Sequence, residues 1–590
     1  MNRLFYTPTH HISLWTLCWF FIFFFGQLIF AQNYKPIAES IHIAQSDHKD
    51  FQKIEIFQNI QYNQSFIDND HRPIKNLIYL DLNLDQAQSL FNNKPDRISI
   101  QFPLPDNKIV ELLLEKQDLF DSQSKITTQD DVVGIPLTGG CYYRGIIKDD
   151  FESFAAISFF ENEVIGVLSN NELGNIVIGK QIAINNQIEQ LTHHVIYQES
   201  TLPIKNPFQC GVSDTNIKFS YINHNSGVAE SVFPNKCKAI KVFLECTNRL
   251  YTDKGSTGAV QAYMTGVFNV VKALYANEQV NLEISEIMVW TTADPYLKTT
   301  LPDIIYDYAN RRKNNFNGTL AQLVTTFPIQ QQGGIAFVDG MCKTWDGQTG
   351  PLSFAYVYNQ FSTLPTYSWS VEVMAHEMGH NFGSWHTHSC VWGPSKNAQI
   401  DNCQPADVGS CNNGVTPVGG GTVMSYCHLT SVGINFSKGF GPEPGDILRN
   451  AFATKNCIPS SFIPIASHSI KGPYFEGDSI RLVAKPYNKI YKYEWLHYDY
   501  ILNKVSDTTI KIGSSGIYKL AISNINCTEY STPDTIKFNA ILVNLGCPII
   551  PGKKDSFFQE ISIQVDNPSY TTDSLIFPTG LYSQIPNDAI

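Results

Sequence analysis

The sequence predicts a multidomain chain that is β-rich at its N-terminal end, mixed α/β in its middle and all-β near its C-terminus. Three observations predict this. The 590 residues amount to about four ordinary 150-residue domains. The apolar pattern changes character near residue 237 and again after Cys457. Hydrophobic residues make up 43% and charged residues only 16%, which is ample material for buried cores and excludes wholesale disorder. The balance of 42 Lys+Arg against 54 Asp+Glu, a net charge of −12, disfavours a nucleic-acid partner, which normally needs a basic face.

Residues 1–31 read as an export signal. Arg3 gives a weakly basic start, Leu14 to Phe30 is almost wholly apolar, and Ala31 offers a small residue for cleavage. A signal anchor is the alternative, because the run approaches membrane-spanning length. Bulky Leu17 before Cys18 argues against a lipid anchor there. No later stretch is long and apolar enough to span a membrane, so no stable membrane insertion is expected after cleavage. The expectation is a secreted, extracellular chain, with cell-surface association left open. Thirteen cysteines less Cys18 leave twelve, an even number that suits an oxidising compartment.

Residues 32–236 carry short apolar runs, Asn76 to Leu82, Ile98 to Leu104 and Ala155 to Ser158, separated by Asn, Asp and Gly clusters; this is a β texture. From 237 to 457 it becomes mixed. Val260, Met264, Val267, Val271 and Leu274 recur at helical spacing, the stretch from Val280 to Val289 reads as a strand, Ile304 to Arg312 as a second helix and Gly334 to Val338 as another strand. From 458 to 545 residues alternate with period two in Ile480/Leu482/Ala484, Tyr491/Tyr493/Trp495 and Tyr518/Leu520/Ile522, as in half-buried strands. Residues 546–590 stay unassigned.

The chemistry lies between His376 and Met424. The segment VEVMAHEMGHNFGSWH holds His376, Glu377, His380, Gly383 and His386. Residues four apart share a helix face, so His376 and His380 present two imidazoles side by side. Val371, Ala375 and Met378 fall on other sides and pack inward. Glu377 adjoins the first histidine and is placed to act on a water as general base, and Gly383 permits a sharp turn that lets His386 swing back. Three nitrogen ligands with one open position describe a catalytic Zn2+ site. HExxH arises by chance in about 1–2% of such chains, and requiring Gly383 and His386 lowers that roughly 600-fold. The alternative is a surface helix with solvated histidines. Gly419-Gly420-Gly421-Thr422-Val423-Met424-Ser425-Tyr426 then supplies a turn bearing Met424, an apolar floor for the three histidines, or else an ordinary core residue.

The zinc motif followed by this Met-turn resembles the metzincin signature, in particular the adamalysin (reprolysin) branch and its secreted bacterial members. Ile335 to Cys342 resembles that family's edge strand, which implies a substrate held antiparallel to it. Gly139 to Ser158 resembles the family's propeptide, and Pro207 to Val212 its cysteine switch, in which the Cys210 thiolate blocks the open metal position; a disulfide is the other reading of Cys210. The resemblance implies a β-rich prodomain (32–236), an α/β metzincin catalytic domain (237–457; a twisted mixed sheet with long helices), and a secreted zinc endopeptidase made as a zymogen and acting on protein or peptide substrates. In some metzincins a tyrosine two places after the methionine reaches the metal or the oxyanion; for Tyr426 that role and simple packing both stay open.

Departures accompany the resemblance. Thr387 stands where an Asp is usual, so His388 reads as a residue behind the ligands or on the surface. Lys241 falls where a calcium-binding glutamate is often found, which puts that calcium site in doubt. No RxxR site lies between Cys210 and Cys237, and the activating protease is unknown. Eight cysteines between 237 and 457 are enough for four bridges, with 105 pairings open; the resemblance favours Cys342 with Cys457. Cys527 and Cys547 form a further candidate pair. Residues 458–545 resemble bacterial immunoglobulin-like sandwiches, with Trp495 as buried core aromatic and Tyr518 at a tyrosine corner. The rival function is an adhesion or binding protein whose protease site is vestigial.

Overall fold

The computed structural model describes residues 34–181, 193–213, 237–459 and 464–539, apart from 69, 71, 122, 330–332, 359, 362–363, 407–409, 469–471, 488–490, 503–506 and 524–527. The expected signal (1–31), the unassigned tail, and Cys527 with Cys547 lie outside these residues. Contacts divide the chain into two compact units, residues 1–223 with 239–459 and residues 224–238 with 460–590.

The first unit contains a ten-stranded sheet drawn from residues 52–198. From Cys141 to Gln198 its strands follow one another as antiparallel neighbours, with Asp150–Phe159 beside Val164–Asn170 and then Gly174–Lys180. Strand residues alternate between two cores. Ala155, Ile157, Val164 and Leu168 face one, and Phe154, Ala156, Ile165 and Val167 face the other, so both sides of the sheet are covered. Among the described residues, two α-helices accompany this β-rich region, Pro36–Ser46 and Leu84–Asn93. Each carries its own signal: Pro36 at the first turn, and an Asn83 side chain that accepts from Gln86 N–H at the start of the second.

The eight-stranded mixed sheet runs in the order Gln209–Cys210, Gly333–Ala336, Leu352–Tyr356, Leu320–Thr325, Ile240–Cys246, Leu282–Val289, Lys125–Thr128, Ile135–Pro136. Both ends of this sheet come from residues before 237. Gln209–Cys210 pairs in parallel with Gly333–Gly334, and Lys125–Thr128 in parallel with Leu282–Val289. The strand expected from Gly334 to Val338 begins at Gly333 and stops at Ala336.

Thr257–Ala276 forms the long helix expected, capped by Ser256, whose hydroxyl accepts from Ala259 N–H. It belongs to the core that also contains Ile165 and Val167 of the ten-stranded sheet and Ile284 and Ile287 of the eight-stranded one. Contact on both sides buries Asn269 and Lys272 as well as the apolar stripe. Tyr367–Phe382 is buried along all sixteen residues. The pattern of one ligand face with Val371, Ala375 and Met378 turned inward therefore understates its setting, since neighbouring strands and the Thr257–Ala276 helix enclose it. Tyr275 Oη donates to the Ala375 carbonyl at 2.9 Å and Gln322 Nε2 to the Met374 carbonyl at 3.3 Å, both inside this packing.

Among the described residues, disulfides join Cys342 with Cys457, Cys390 with Cys411 and Cys403 with Cys427. The first agrees with the pairing the resemblance favours. Four bridges within 237–457 do not form: Cys246 is a free, fully buried thiol on a central strand. Cys237 is disulfide-bonded. No helix of the described residues is long and apolar enough to cross a membrane.

In the second unit, Ile465–His468, Ile480–Lys485 and Thr509–Ile512 form one sheet, and Lys492–His497, Gly516–Ser523 and their neighbours another. Ile480, Leu482, Ala484, Tyr493, Trp495, Tyr518, Leu520 and Ile522 meet in one core, as period two requires. Trp495 is fully buried with its indole N–H on the Asp507 carbonyl, and Tyr518 Oη donates to the Ser514 carbonyl at 2.8 Å. Trp495→Ala is expected to destabilise this unit by about 3–5 kcal/mol. Denaturant unfolding followed by aromatic fluorescence checks this, and a loss below about 1 kcal/mol would show that Trp495 does not hold this core.

Candidate metal centre

His376, His380 and His386 converge from one helix and the turn that follows it. Gly383 ends the helix at φ +113°, a left-handed conformation that costs a side chain dearly, and its N–H caps the His380 carbonyl. The chain reverses there and brings His386 back. His380 Nε2 lies 3.2 Å from His376 Nε2 and 3.2 Å from His386 Nε2. His376 Nδ1 lies 2.8 Å from the Val423 carbonyl and His380 Nδ1 2.7 Å from the Ser384 carbonyl. A carbonyl only accepts, so each Nδ1 carries the proton and each Nε2 turns a lone pair inward. Burial holds the pKa of all three imidazoles down, His380 at about 4.

The sulfur of Cys210 completes the cluster at 3.4 Å from His380 Nε2, and the four ligand atoms all lie within 4.8 Å of one another. Cys210 is not disulfide-bonded, so the disulfide reading falls. The strand Gln209–Cys210 delivers it, Gly211 N–H bonding to the Gly334 carbonyl at 2.8 Å. Glycine at 334 has a steric reason. A Cβ there would fall 2.5 Å from Glu377 Cγ, so only glycine lets the Glu377 side chain lie against this strand. No geometric hydrogen bond reaches either Glu377 carboxylate oxygen among the described residues. Burial pushes its pKa well up, opposed in part by the Cys210 thiol.

These donors fit a zinc ion. Two neutral imidazoles with inward lone pairs cannot hydrogen-bond to each other and repel at 3.2 Å unless a cation lies between them. Tetrahedral zinc with bonds of about 2.0–2.1 Å to nitrogen sets ligand nitrogens roughly 3.3 Å apart, close to the spacing here.

Met424 packs directly beneath the helix: a Cβ on Gly379 would sit 2.7 Å from its sulfur. Its carbonyl accepts from Thr387 N–H at 3.1 Å, so Thr387 ties the turn to the ligand loop. His388 is fully buried and stacks on His386 at 4.9 Å, which excludes the surface reading. Tyr426 Oη donates to the Cys210 carbonyl at 3.2 Å, with its ring 4.8 Å from that of His386. Lys241 pairs with Asp121 at 2.7 Å and with Glu283, so an ammonium already neutralises those carboxylates and nothing there supports a calcium site.

Sequence reasoning missed a neighbouring polar group. Glu372, one turn before His376, pairs with His428 Nδ1 at 2.9 Å and accepts from Asn206 Nδ2 at 2.8 Å. His428 Nε2 reaches the Phe208 carbonyl at 2.9 Å. Burial pulls the His428 pKa down, but Glu372 and that carbonyl outweigh it, and the net shift is upward. His428 directly follows Cys427 after the Met424 turn, the one sequence signal that could have drawn attention to it.

Residues 236–436 match the family model Reprolysin_5, described as metallo-peptidase family M12. The match supports a metallopeptidase. It covers the middle third of the chain and includes all three histidines, Glu377 and Met424, while Cys210 lies outside it. Among solved structures, metalloproteinase-II from Bacteroides fragilis is 10% identical, with 51% of this chain and 85% of that chain covered and a TM-score of 0.32. A chain of a chaperone–substrate complex is 15% identical at a TM-score of 0.23; the match takes in 37% of this chain and spans only 35% of that one. Neither TM-score carries an argument about fold.

Glu199, half-buried and close enough to feel the Glu372 charge, gives a pH signature. Burial and then the Glu372 charge push its pKa from 4.5 up to about 7, against hydrogen bonds from Asn175 and Trp369. The folded state thus binds more protons than the unfolded one between these values, and stability falls as pH rises from 4.5 to about 7. Thermal melts of wild type and Glu199→Gln across this range are expected to show that fall in wild type and a shallower one in the variant. Parallel curves would contradict the assignment.

Proposed function

We propose that the chain is a secreted zinc endopeptidase of the metzincin type, made as a zymogen. The observation that carries this is the convergence of three inward imidazole nitrogens and a buried Glu377 carboxylate on one point, with the Cys210 sulfur on that same point. His376, His380 and His386 would hold Zn2+, with Cys210 as fourth ligand in the latent chain. A zinc ion in such a site supplies Lewis acidity toward a carbonyl oxygen and lowers the pKa of water.

The chain's own residues do the rest. The Gly333–Ala336 edge would bind a peptide by main-chain hydrogen bonds once Gln209–Cys210 leaves it. Glu377, kept dry by its neighbours, takes a proton from the attacking water on one carboxylate oxygen and passes it to the leaving nitrogen. Tyr426 Oη, now on the Cys210 carbonyl, would be free to donate to a substrate carbonyl. Cys210 keeps the latent site closed. The leader and the disulfides support secretion, and the Trp495 core and Tyr518 bond support an immunoglobulin-like accessory module for 458–545. A vestigial-site adhesion protein has no use for a buried Glu377 at the cluster, which argues against that reading.

The test compares zinc content and peptide cleavage in the full chain after proteolytic activation. Glu377→Ala is expected to retain zinc and lose cleavage by about 10²–10⁴-fold or more. His380→Ala is expected to lose both. Cleavage that survives in Glu377→Ala would refute the proposed role. In the unprocessed chain, Cys210→Ala is expected to raise basal cleavage without changing zinc content, measured against untreated wild type; no rise would count against the latency role.

A further inference from the structure

The carbonyl that orients His376 belongs to a loop with little regular structure of its own. Val423 accepts from His376 Nδ1 at 2.8 Å, and its own N–H donates to the Gly439 carbonyl at 3.0 Å. Residues 435–439 therefore aim Val423. Gly419, Gly420 and Gly421 lead into the same turn, and glycine gives such a stretch no rigidity.

Asn435 supplies the rigidity. Its side chain is buried and spans the loop. Nδ2 donates to the Gly419 carbonyl at 2.7 Å, and Oδ1 accepts from Ser437 N–H at 3.0 Å, capping the short helix Phe436–Lys438 that leads to Gly439. The Asn435 backbone N–H donates to the Gly421 carbonyl at 3.0 Å. A Cβ on Gly420 would fall 2.5 Å from the Asn435 Cβ, so the glycine turn lies directly on this residue.

An asparagine amide offers two N–H donors and an oxygen with two lone pairs, and only half of that capacity is used within the loop. The other half goes to the segment before 237. Nδ2 also donates to the Asn170 carbonyl at 2.9 Å, and the Ser169 hydroxyl lies 2.6 Å from Oδ1. Ser437 N–H reaches that hydroxyl at 3.1 Å, and Phe436 N–H reaches the Asn175 amide oxygen at 3.0 Å. Ser169, Asn175 and Asn435 are all buried, so these bonds are not shared with solvent while the segment is docked.

Resting on the zinc-peptidase reading above, we infer that Asn435 is a positioning residue for His376 and the joint through which the segment before 237 steadies the metal site. The segment thus reaches the metal by a second route besides Cys210. When Ser169 and Asn170 withdraw, Asn435 keeps its bonds to Gly419 and Ser437 but loses the two that pin its amide from outside. The loop is then free to drift, and Val423 drifts with it. Linkage makes the effect mutual, so bound zinc strengthens docking of the segment by the same factor that docking strengthens zinc.

The test uses the full unprocessed chain carrying Cys210→Ser, so that metal affinity reads the three histidines without the thiolate. Competition with a chromogenic chelator gives the zinc affinity, and visible absorption of the cobalt(II)-loaded chain reports the ligand geometry. Adding Asn435→Ala is expected to weaken zinc about tenfold and to alter the cobalt spectrum. Adding Ser169→Ala, which touches the outer half of the clamp alone, is expected to weaken zinc about threefold. Asn83→Ala, which removes the cap of the Leu84–Asn93 helix, is expected to lower the melting temperature and leave metal affinity and spectrum unchanged. A folded Asn435→Ala with unchanged affinity and spectrum overturns the inference and leaves the zinc reading standing. Unchanged affinity in Ser169→Ala overturns the coupling to the segment, and it decides the matter where Asn435→Ala does not fold. An equal loss of affinity in Asn83→Ala would reveal a general effect of stability and overturn the inference as well. A Cys210→Ser chain that binds neither zinc nor cobalt overturns the zinc reading and this inference with it.

Discussion

Two neutral imidazoles, His376 and His380, turned lone pair to lone pair with His386 Nε2 beside them, are the constraint on which the rest of the molecule depends. The arrangement is unfavourable without a cation, because the His376 and His380 rings have each given their only proton to the Nδ1 side and have nothing to donate to one another. The carbonyls of Val423 and Ser384 enforce this orientation at 2.8 and 2.7 Å. Both carbonyls belong to turns, one at the Met424 loop and one after Gly383. Much of the surrounding structure keeps those turns in place: the Tyr367–Phe382 helix buried along its length, Met424 against Gly379, and the Cys403–Cys427 bridge beyond the Met424 turn.

The segment before 237 is built into the same unit. It supplies both ends of the eight-stranded sheet, and its own large sheet covers the Thr257–Ala276 helix. Lys241 shows the dependence at the level of one side chain, since its partners are Asp121 from the earlier segment and Glu283 from the later one. In the proposed reading, activation therefore means more than withdrawing a thiol. Removing the segment unpairs two sheet edges and takes Phe208, Asn206 and Asp121 away from groups they now satisfy. Such a release costs many contacts at once, which suits a latent state that must not open spontaneously.

The histidine cluster was legible because its spacing is local. Three ligands and Glu377 lie within eleven residues, and helix geometry plus one glycine turn brings them together. The long helices and the period-two strands were legible for the same reason. What periodicity could not show is pairing over long separations. Lys125–Thr128 joins Leu282–Val289 across more than 150 residues, and nothing in a four-residue strand announces its partner. Phe208, Glu372 and His428 are likewise far apart in the chain and meet only through the fold. The helices Pro36–Ser46 and Leu84–Asn93 had cap signals, yet each is short and lies within β-patterned sequence, where the surrounding texture outweighed them.

X-ray absorption at the zinc edge, taken on the full unprocessed chain, tests the central claim most directly because it counts ligand types. The account predicts bound zinc with about three nitrogen neighbours near 2.0–2.1 Å and one sulfur near 2.3 Å, and loss of the sulfur shell in Cys210→Ser. A full chain that binds no zinc, or binds it with the same ligand shell whether or not Cys210 is present, would contradict it.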